Sequence, residues 1–481
     1  MPASAEPAGT LPSALLLSGL PPLRRTDSRE LARAVSARAR LVVLDDDPTG
    51  TQAVADVPVV TTCDLDDVRW ALRQPSQAVF IQTNTRSLGE GDAAERNRRI
   101  VDVLAQACAA ERVDAVLASR GDSTLRGHYP LETDVLSEAL NRHGRPVRGV
   151  VLVPAYLDAG RVTVHSVHYL RTGQGLLPVG RSQFAEDATF GYHSSDLRDW
   201  VEEKTRGRIK AADVVTVTLT DIRVGGPERV TTLLRQVRPH RPAVVDAAEE
   251  DDLRTFTLGL LAAEREGLRL IYRVGPSFVR TRSGQAARPP LASGQPRAIG
   301  TSRGARGLIA VGSHVQLTTA QLSRLRLLDD LVEVELRTAA ILDPSTRDQH
   351  IADVAATAGA ALRDADVVIS TTRTLAAGDD PDSSLAIARR ISAALTETVA
   401  ATVRLRRPGF VVAKGGITSS DIATHALGIS RAIARGTLLP GIVSLWEPVS
   451  GPFAGVPYIV FAGNVGDETS LADVVTLMRS A

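Results

Sequence analysis

The chain has 481 residues, more than one hydrophobic core usually supports, so two or three domains are expected. Its 43% apolar and 23% charged residues are those of an ordinary globular protein, and a net charge of +1 gives no electrostatic case for a nucleic-acid partner or an acidic membrane surface. Aromatic residues at 4% weaken base stacking further, and no apolar run approaches the roughly 20 residues of a membrane span.

In chain order, residues 1–40 read as a polar lead-in with a helix over 28–39. The short apolar patch Leu15-Leu16-Leu17 has no cationic segment before it, which argues against a signal peptide. Strand-like runs follow at 41–44, 57–61, 78–82, 115–118, 150–153, 214–219, 243–245 and 268–272. Helical patterns lie between several of them, such as 93–110 and 228–237, and this alternation predicts an α/β domain with a largely parallel sheet. From Arg280 to Arg306 the chain is rich in Gly, Pro, Ser, Ala and Arg without periodicity, which reads as an interdomain linker. Alternation resumes with strands at 308–311, 332–336, 367–370, 410–413 and 458–461, and helices at 318–328, 348–363 and 383–405. The expected division is a lead-in over 1–40, a first domain over 41–280, a linker over 281–306 and a second domain over 307–481. Both domains are expected to be α/β with largely parallel sheets.

Cys63 and Cys108 form no CxxC and no metal spacing, which fits a reduced, cytoplasmic protein. His165 and His168 could meet on a helix and bind a metal, but their surroundings look more like a strand.

Several strand ends are unusually polar. Leu41–Leu44 runs into Asp45-Asp46-Asp47-Pro48-Thr49-Gly50, and acids at the C-terminal end of a strand project into the crevice where open α/β sheets bind ligands. Three acids in a row are explained more easily by a polyhydroxyl ligand or a metal than by packing. Ser119-Arg120-Gly121-Asp122-Ser123-Thr124-Leu125-Arg126 ends another strand with cations, an acid and hydroxyls. Arginine forks there suit a carboxylate. Gln82 to Ser87, with Arg86, and Gly160-Arg161 have the same polar character. Each alone would pass for a solvated loop, whereas four in one domain point to a site.

In the second domain, Phe410–Ala413 stops at Lys414-Gly415-Gly416-Ile417-Thr418-Ser419-Ser420, before a helix read over 422–428. A glycine pair after a strand lets backbone N–H groups approach an anion. Only Lys204, Lys210 and Lys414 are lysines among 56 basic residues, so Lys414 beside the glycines stands out. Gly312-Ser313-His314 and Gly463-Asn464-Val465-Gly466 end two further strands. Three glycine-bearing turns in one small α/β domain favour a nucleotide. The chain has no GxxxxGK[ST] P-loop, no HExxH, no GxSxG elbow and no Rossmann GxGxxG.

Together the Asp45–Gln52 strand end, Ser119–His128, Ala413–Asp421 and Gly463–Asp467 resemble the four-carbon acid sugar kinase family, in the expected order from about Leu41 onward. The resemblance implies an N-terminal substrate domain and a C-terminal nucleotide-binding domain. It implies ATP, with Mg²⁺, as phosphoryl donor to acids such as threonate, erythronate or 2-oxo-tetronate. The ATP positions it implies are Ser313, Gly415, Gly416, Ile417, Thr418 and Gly463. In two places the chain departs from many members: Val460-Phe461-Ala462 stands where they carry a lysine, and Lys414 where they carry an apolar or small residue. Lys414 is therefore expected to supply the phosphate-facing cation from a different loop. Asp46 or Asp47 is expected to orient the attacking hydroxyl and accept its proton. Asp45, Thr49, Arg86, Arg120, Asp122, Ser123, Arg126 and Arg161 are expected to bind the acid sugar, the arginines being candidates for its carboxylate. No residue is assigned as a metal ligand, and a homodimer is left open. The alternative is a regulator that keeps the fold and pockets without turnover. An aldolase or dehydratase is a third reading, disfavoured because the first half's only lysines sit in the polar stretch 204–210.

Overall fold

A computed structural model describes residues 10–12, 18–36, 39–291, 306–374 and 381–480. Leu15–Leu17 and most of the expected linker, 292–305, lie outside these. The strands in chain order are β1 (Arg40–Asp45), β2 (Val57–Val60), β3 (Ala78–Gln82), β4 (Ala115–Arg120), β5 (Gly149–Val153), β6 (Arg161–Val164), β7 (Val167–Thr172), β8 (Gly175–Pro178), β9 (Val215–Val217), β10 (Ala243–Val245) and β11 (Leu270–Val274). They continue with β12 (Gly307–Val311), β13 (Leu331–Leu336), β14 (Asp366–Thr371), β15 (Phe410–Lys414), β16 (Arg431–Leu439), β17 (Val443–Pro448) and β18 (Tyr458–Phe461).

The residues group into two compact units. One comprises Met1–Asp46 with Cys63–Ala287, the other Asp47–Thr62 with Arg288–Ala481. By contacts, the chain leaves the first unit after Asp46, contributes Asp47–Thr62 to the second, and returns. Local chemistry explains the excursion. Asp47 caps a 3₁₀ turn over Pro48–Ala53, its carboxylate accepting from Thr49 N–H at 2.9 Å, with Pro48 preorganising the first position. Thr51 Oγ1 accepts from Trp446 Nε1 and donates to Ser444 Oγ, both at 2.9 Å. β2 pairs antiparallel with Arg431–Ala434.

In the first unit the strands order β3-β1-β4-β11-β5-β10-β9, with parallel pairs throughout. Strands covered on both faces read as continuous apolar runs, and Leu41, Val42 and Val43 are fully buried. A separate antiparallel sheet, β6-β7-β8, packs beside them. In the second unit β13-β14-β12-β15-β18 are parallel, and β17, β16 and β2 extend the edge antiparallel. The mostly parallel α/β expectation holds for both units. β16 and β17 escaped the sequence reading because it sought continuous apolar runs, and Arg431–Leu439 instead alternates buried with part-exposed residues.

Two local readings are corrected. The linker was expected from Arg280, but Pro276–Arg282 is helical and Arg280, Thr281 and Arg282 are buried in it. Gly416–Asp421 is already α-helical and continues as a π turn over Ile422–Ala426, so helix begins at the glycine pair and not at Ile422.

Candidate functional site

Register assembles the first unit's polar cluster. Asp45 is level with Gln82 on β3 and with Arg120 on β4, so three polar strand ends meet at the carboxyl edge of the parallel sheet. Asp45 is fully buried, accepting from Gln82 Nε2 at 3.0 Å and pairing with Arg120 Nε at 2.7 Å. Asp46 is gripped by Arg86 through both Nη2 (2.5 Å) and Nε (3.2 Å), with Arg120 Nη1 at 3.4 Å. Burial raises the Asp46 pKa and the Arg86 and Arg120 charges oppose that rise.

Asp122 pairs with Arg126 at 2.6 Å. Burial alone would raise Asp122, but the Arg126 and Arg86 guanidinium groups and its own hydrogen bonds outweigh that and hold its pKa low. Arg126 also reaches Asp187 at 3.5 Å and lies over the Phe184 ring. Arg161 differs from these three arginines. Its Nη1 donates to Ala159 O, its Nε is buried without a bonded partner, and it makes no ion pair among the described residues. Burial lowers its pKa. Ser123 offers its backbone carbonyl to His168 Nε2 at 2.8 Å. His168 Nδ1 meets Thr163 Oγ1 at 2.9 Å, and burial holds its pKa down at about 4. His165 sits in the β6–β7 turn at φ +53°, so the two histidines do not share a helix face.

The sequence reading missed two residues here. Arg273, at the end of buried β11, donates to Ser119 Oγ (3.1 Å), Glu132 Oε2 (3.2 Å) and Arg126 O (3.3 Å). Glu132 in turn accepts from Thr85 Oγ1 at 2.6 Å. The Arg273 guanidinium would stand 2.1 Å from a β-carbon on Gly121, which explains that glycine. An arginine inside the run Leu270-Ile271-Tyr272-Arg273-Val274 was the available signal.

In the second unit, Val311 is level with Lys414 and with Ser370, and Lys414 with Phe461. The turns that follow converge. A β-carbon on Gly312 would lie 2.3 Å from Thr418 Oγ1, and one on Gly463 would lie 2.6 Å from Ser313 Oγ. Thr418 Oγ1 is 3.0 Å from the β-carbon position of Gly415, whose φ of +130° suits glycine alone. Thr318 Oγ1 ties two of the turns, donating to Gly463 O at 3.0 Å and lying 3.1 Å from Ser313 Oγ. Ser313, Gly415, Gly416, Thr418 and Gly463 are thus brought together, and Ile417 beside them points its side chain outward at 46% exposure.

By contacts, Asp47 and Thr49 group with the second unit. Asp47 Oδ2 would be 2.0 Å from a β-carbon on Gly416. The sequence reading could not see this pairing, since Asp47 and Gly416 are far apart in the chain.

Lys414 also departs from expectation. It is fully buried, its Nζ donates to Ala462 O at 2.6 Å, and it lies 3.8 Å from the centre of the Phe461 ring. Burial lowers its pKa to about 6. The ring face favours a charged amine, yet no acid contributes to that shift, so the neutral amine prevails near pH 7 and still donates to Ala462 O. The amine braces the late glycine turn from within and does not face outward as a phosphate-binding cation.

The glycine cradle and its hydroxyls fit the phosphates of a nucleotide. Among the described residues no group of three or more His, Cys, Asp or Glu is placed to hold a metal ion, and no helix is long and apolar enough to cross a membrane.

Comparison with known proteins agrees with this division of labour. Residues 41–282 match the family described as a sugar-binding N-terminal domain, and residues 308–471 match its nucleotide-binding C-terminal domain. No protein with a curated description matches the chain. Among solved structures, a Salmonella typhimurium LT2 protein described as a candidate tRNA synthase is similar at 19% identity and TM-score 0.63, covering 90% of this chain and 98% of its own. A Haemophilus influenzae protein of family DUF1537 is similar at 18% identity and TM-score 0.58, covering 91% of this chain and 100% of its own. At these identities the likeness speaks for the fold. With a sugar-binding domain followed by a nucleotide-binding domain along most of its length, the chain belongs to the four-carbon acid sugar kinase family, DUF1537.

Proposed function

We propose that the protein is an ATP-dependent kinase that phosphorylates a hydroxyl of a four-carbon acid sugar of the threonate, erythronate or 2-oxo-tetronate type. The observation that carries the reading is the packing of the Asp47 carboxylate against Gly416, in the turn best suited to phosphates. ATP bound there would supply the phosphoryl group, with Mg²⁺ neutralising charge between its phosphates.

The chain's own residues then divide the work. Backbone N–H groups of Gly416 to Thr418, with Ser313 and Gly463, hold the phosphates in a fixed cradle, while the Gly415 N–H is taken by Phe461 O. Asp47 orients the acceptor hydroxyl and takes its proton as the oxygen bonds to the γ-phosphorus and the bond to the leaving ADP oxygen breaks. Asp46 is less suited to that role, because Arg86 and Arg120 already hold its carboxylate. Arg161 takes the substrate carboxylate, since Arg86, Arg120 and Arg126 are each paired with a carboxylate of the protein. Asp45 and Asp122, fixed by Arg120 and Arg126, offer acceptors to sugar hydroxyls.

The test is ADP release, read by a coupled assay, across a panel of four-carbon acids with Mg²⁺ and ATP. The reading expects at least one acid to raise ADP release well above the ATP-only background. A flat panel would sink it.

A further inference from the structure

Lys414 is spent inside the protein, which leaves the nucleotide-binding turns without the cation expected of them. The adjacent strand end supplies another. Arg373 follows β14, the neighbour of β12, and its Nη2 donates to Ser313 O at 2.5 Å and to Thr319 Oγ1 at 3.1 Å. The guanidinium is therefore tethered to the turn whose serine meets Gly463. Among the described residues its remaining donors are unused: Nε and Nη1 are shielded from solvent and have no hydrogen-bond partner there. His314 lies beside it, its Nε2 3.4 Å from Thr371 Oγ1 and its ring in reach of the Arg373 backbone.

Nearby charge does not account for this placement. Glu333 attracts Arg373 at a distance, but its carboxylate is engaged by Arg326 at 2.6 and 2.9 Å and by Ser370 at 2.6 Å. Burial lowers the Arg373 pKa, and repulsion from Arg326 adds to that. A half-buried guanidinium with unmade hydrogen bonds is costly unless a ligand completes it. An anion is the fitting ligand, because Arg carries no acceptor and its fork matches phosphate oxygens.

We infer that Arg373 is a nucleotide-binding residue whose free guanidinium N–H groups take a phosphate oxygen of the bound nucleotide. The inference rests on the nucleotide reading of the glycine turns and names the cation that completes it. Arg373 contributes to binding through charge and fork geometry together, so lysine replaces it only in part.

The experiment is calorimetric titration of ATP and of adenosine into wild type, Arg373→Ala and Arg373→Lys. Wild type is expected to bind ATP more tightly than adenosine. Arg373→Ala is expected to lose on the order of 10–100-fold in ATP affinity while adenosine binding stays within about twofold, with Arg373→Lys intermediate for ATP. Unchanged ATP binding in Arg373→Ala overturns the inference, and so does an equal loss for ATP and adenosine, which would mark a structural role. Wild type binding neither ligand sinks the nucleotide reading itself, which separates the two failures. If Arg373→Ala shows no cooperative melting transition, Arg373→Lys decides the matter by the same comparison.

Discussion

Asp47 and Gly416 are pressed together: a β-carbon on Gly416 would stand 2.0 Å from Asp47 Oδ2 and 2.9 Å from Cγ. Both residues lie in the second unit, so the third acid of the Asp45-Asp46-Asp47 run serves the glycine turn while the first two serve the arginines of the sugar-binding unit.

Gly416→Ala tests that contact directly. Gly416 is the first residue of a helix, so alanine suits its backbone and only the carboxylate stands in the way. The methyl group must push Asp47 aside, and a displacement of about 1 Å at a reacting group can cost roughly 10²-fold in rate. We expect kcat to fall by about that factor while thermal melting stays cooperative. A Gly416→Ala enzyme with wild-type kcat would show that the Asp47 position is unimportant.

Asp47→Asn and Asp46→Asn should separate chemistry from scaffolding. Asp47→Asn is expected to lower kcat by on the order of 10²–10⁴-fold, as loss of a general base does. Asp46→Asn leaves Arg86 and Arg120 without the carboxylate they share, a loss of about 3–5 kcal/mol for a buried pair. Its signature is a lower denaturation midpoint. Reversed signatures would exchange the roles of the two acids.

Arg161→Ala is expected to raise KM for the acid sugar by roughly 10–100-fold with KM for ATP unchanged, because a charge-assisted contact to the substrate is lost. Steady-state kinetics with each substrate varied in turn provides the check. An unchanged acid-sugar KM would return the carboxylate role to Arg86, Arg120 or Arg126.

Lys414→Met should reveal the buried amine through pH. The unfolded chain holds the lysine proton up to about pH 10.5, whereas the folded protein releases it above about 6. Between those values the unfolded state binds more protons, so the lysine's contribution to stability rises with pH, by up to about 1.4 kcal/mol per unit. Below about pH 6 both states are protonated and the full burial penalty remains. The stability of Lys414→Met relative to wild type should therefore be greatest at and below about pH 6 and decline toward pH 10. Parallel stability curves for the two proteins would place the Lys414 pKa at its ordinary value.

The sequence by itself determined the α/β class, the apolar parallel strands and the polar residues at their carboxyl ends. A strand covered on both faces must be apolar until it stops, so Asp45, Arg120, Ser313 and Lys414 are marked by where the apolar run ends. The motif order also carried the family. Tertiary structure alone decided which of those ends serve which unit and which side chains remain open. Asp46 and Asp47 are adjacent in the chain yet belong to different units, because Thr51, Trp446 and β2 draw the segment after Asp46 into the second sheet. Lys414 reads as a phosphate-facing cation in sequence, but its strand register sets it against Phe461 and turns its amine to Ala462 O. Arg273 and Arg373 belong to no motif, and only the folding of distant strands side by side sets one against Gly121 and ties the other to Ser313. Local sequence specifies where a strand ends, whereas register and neighbour choice, set by long-range packing, specify what that end faces.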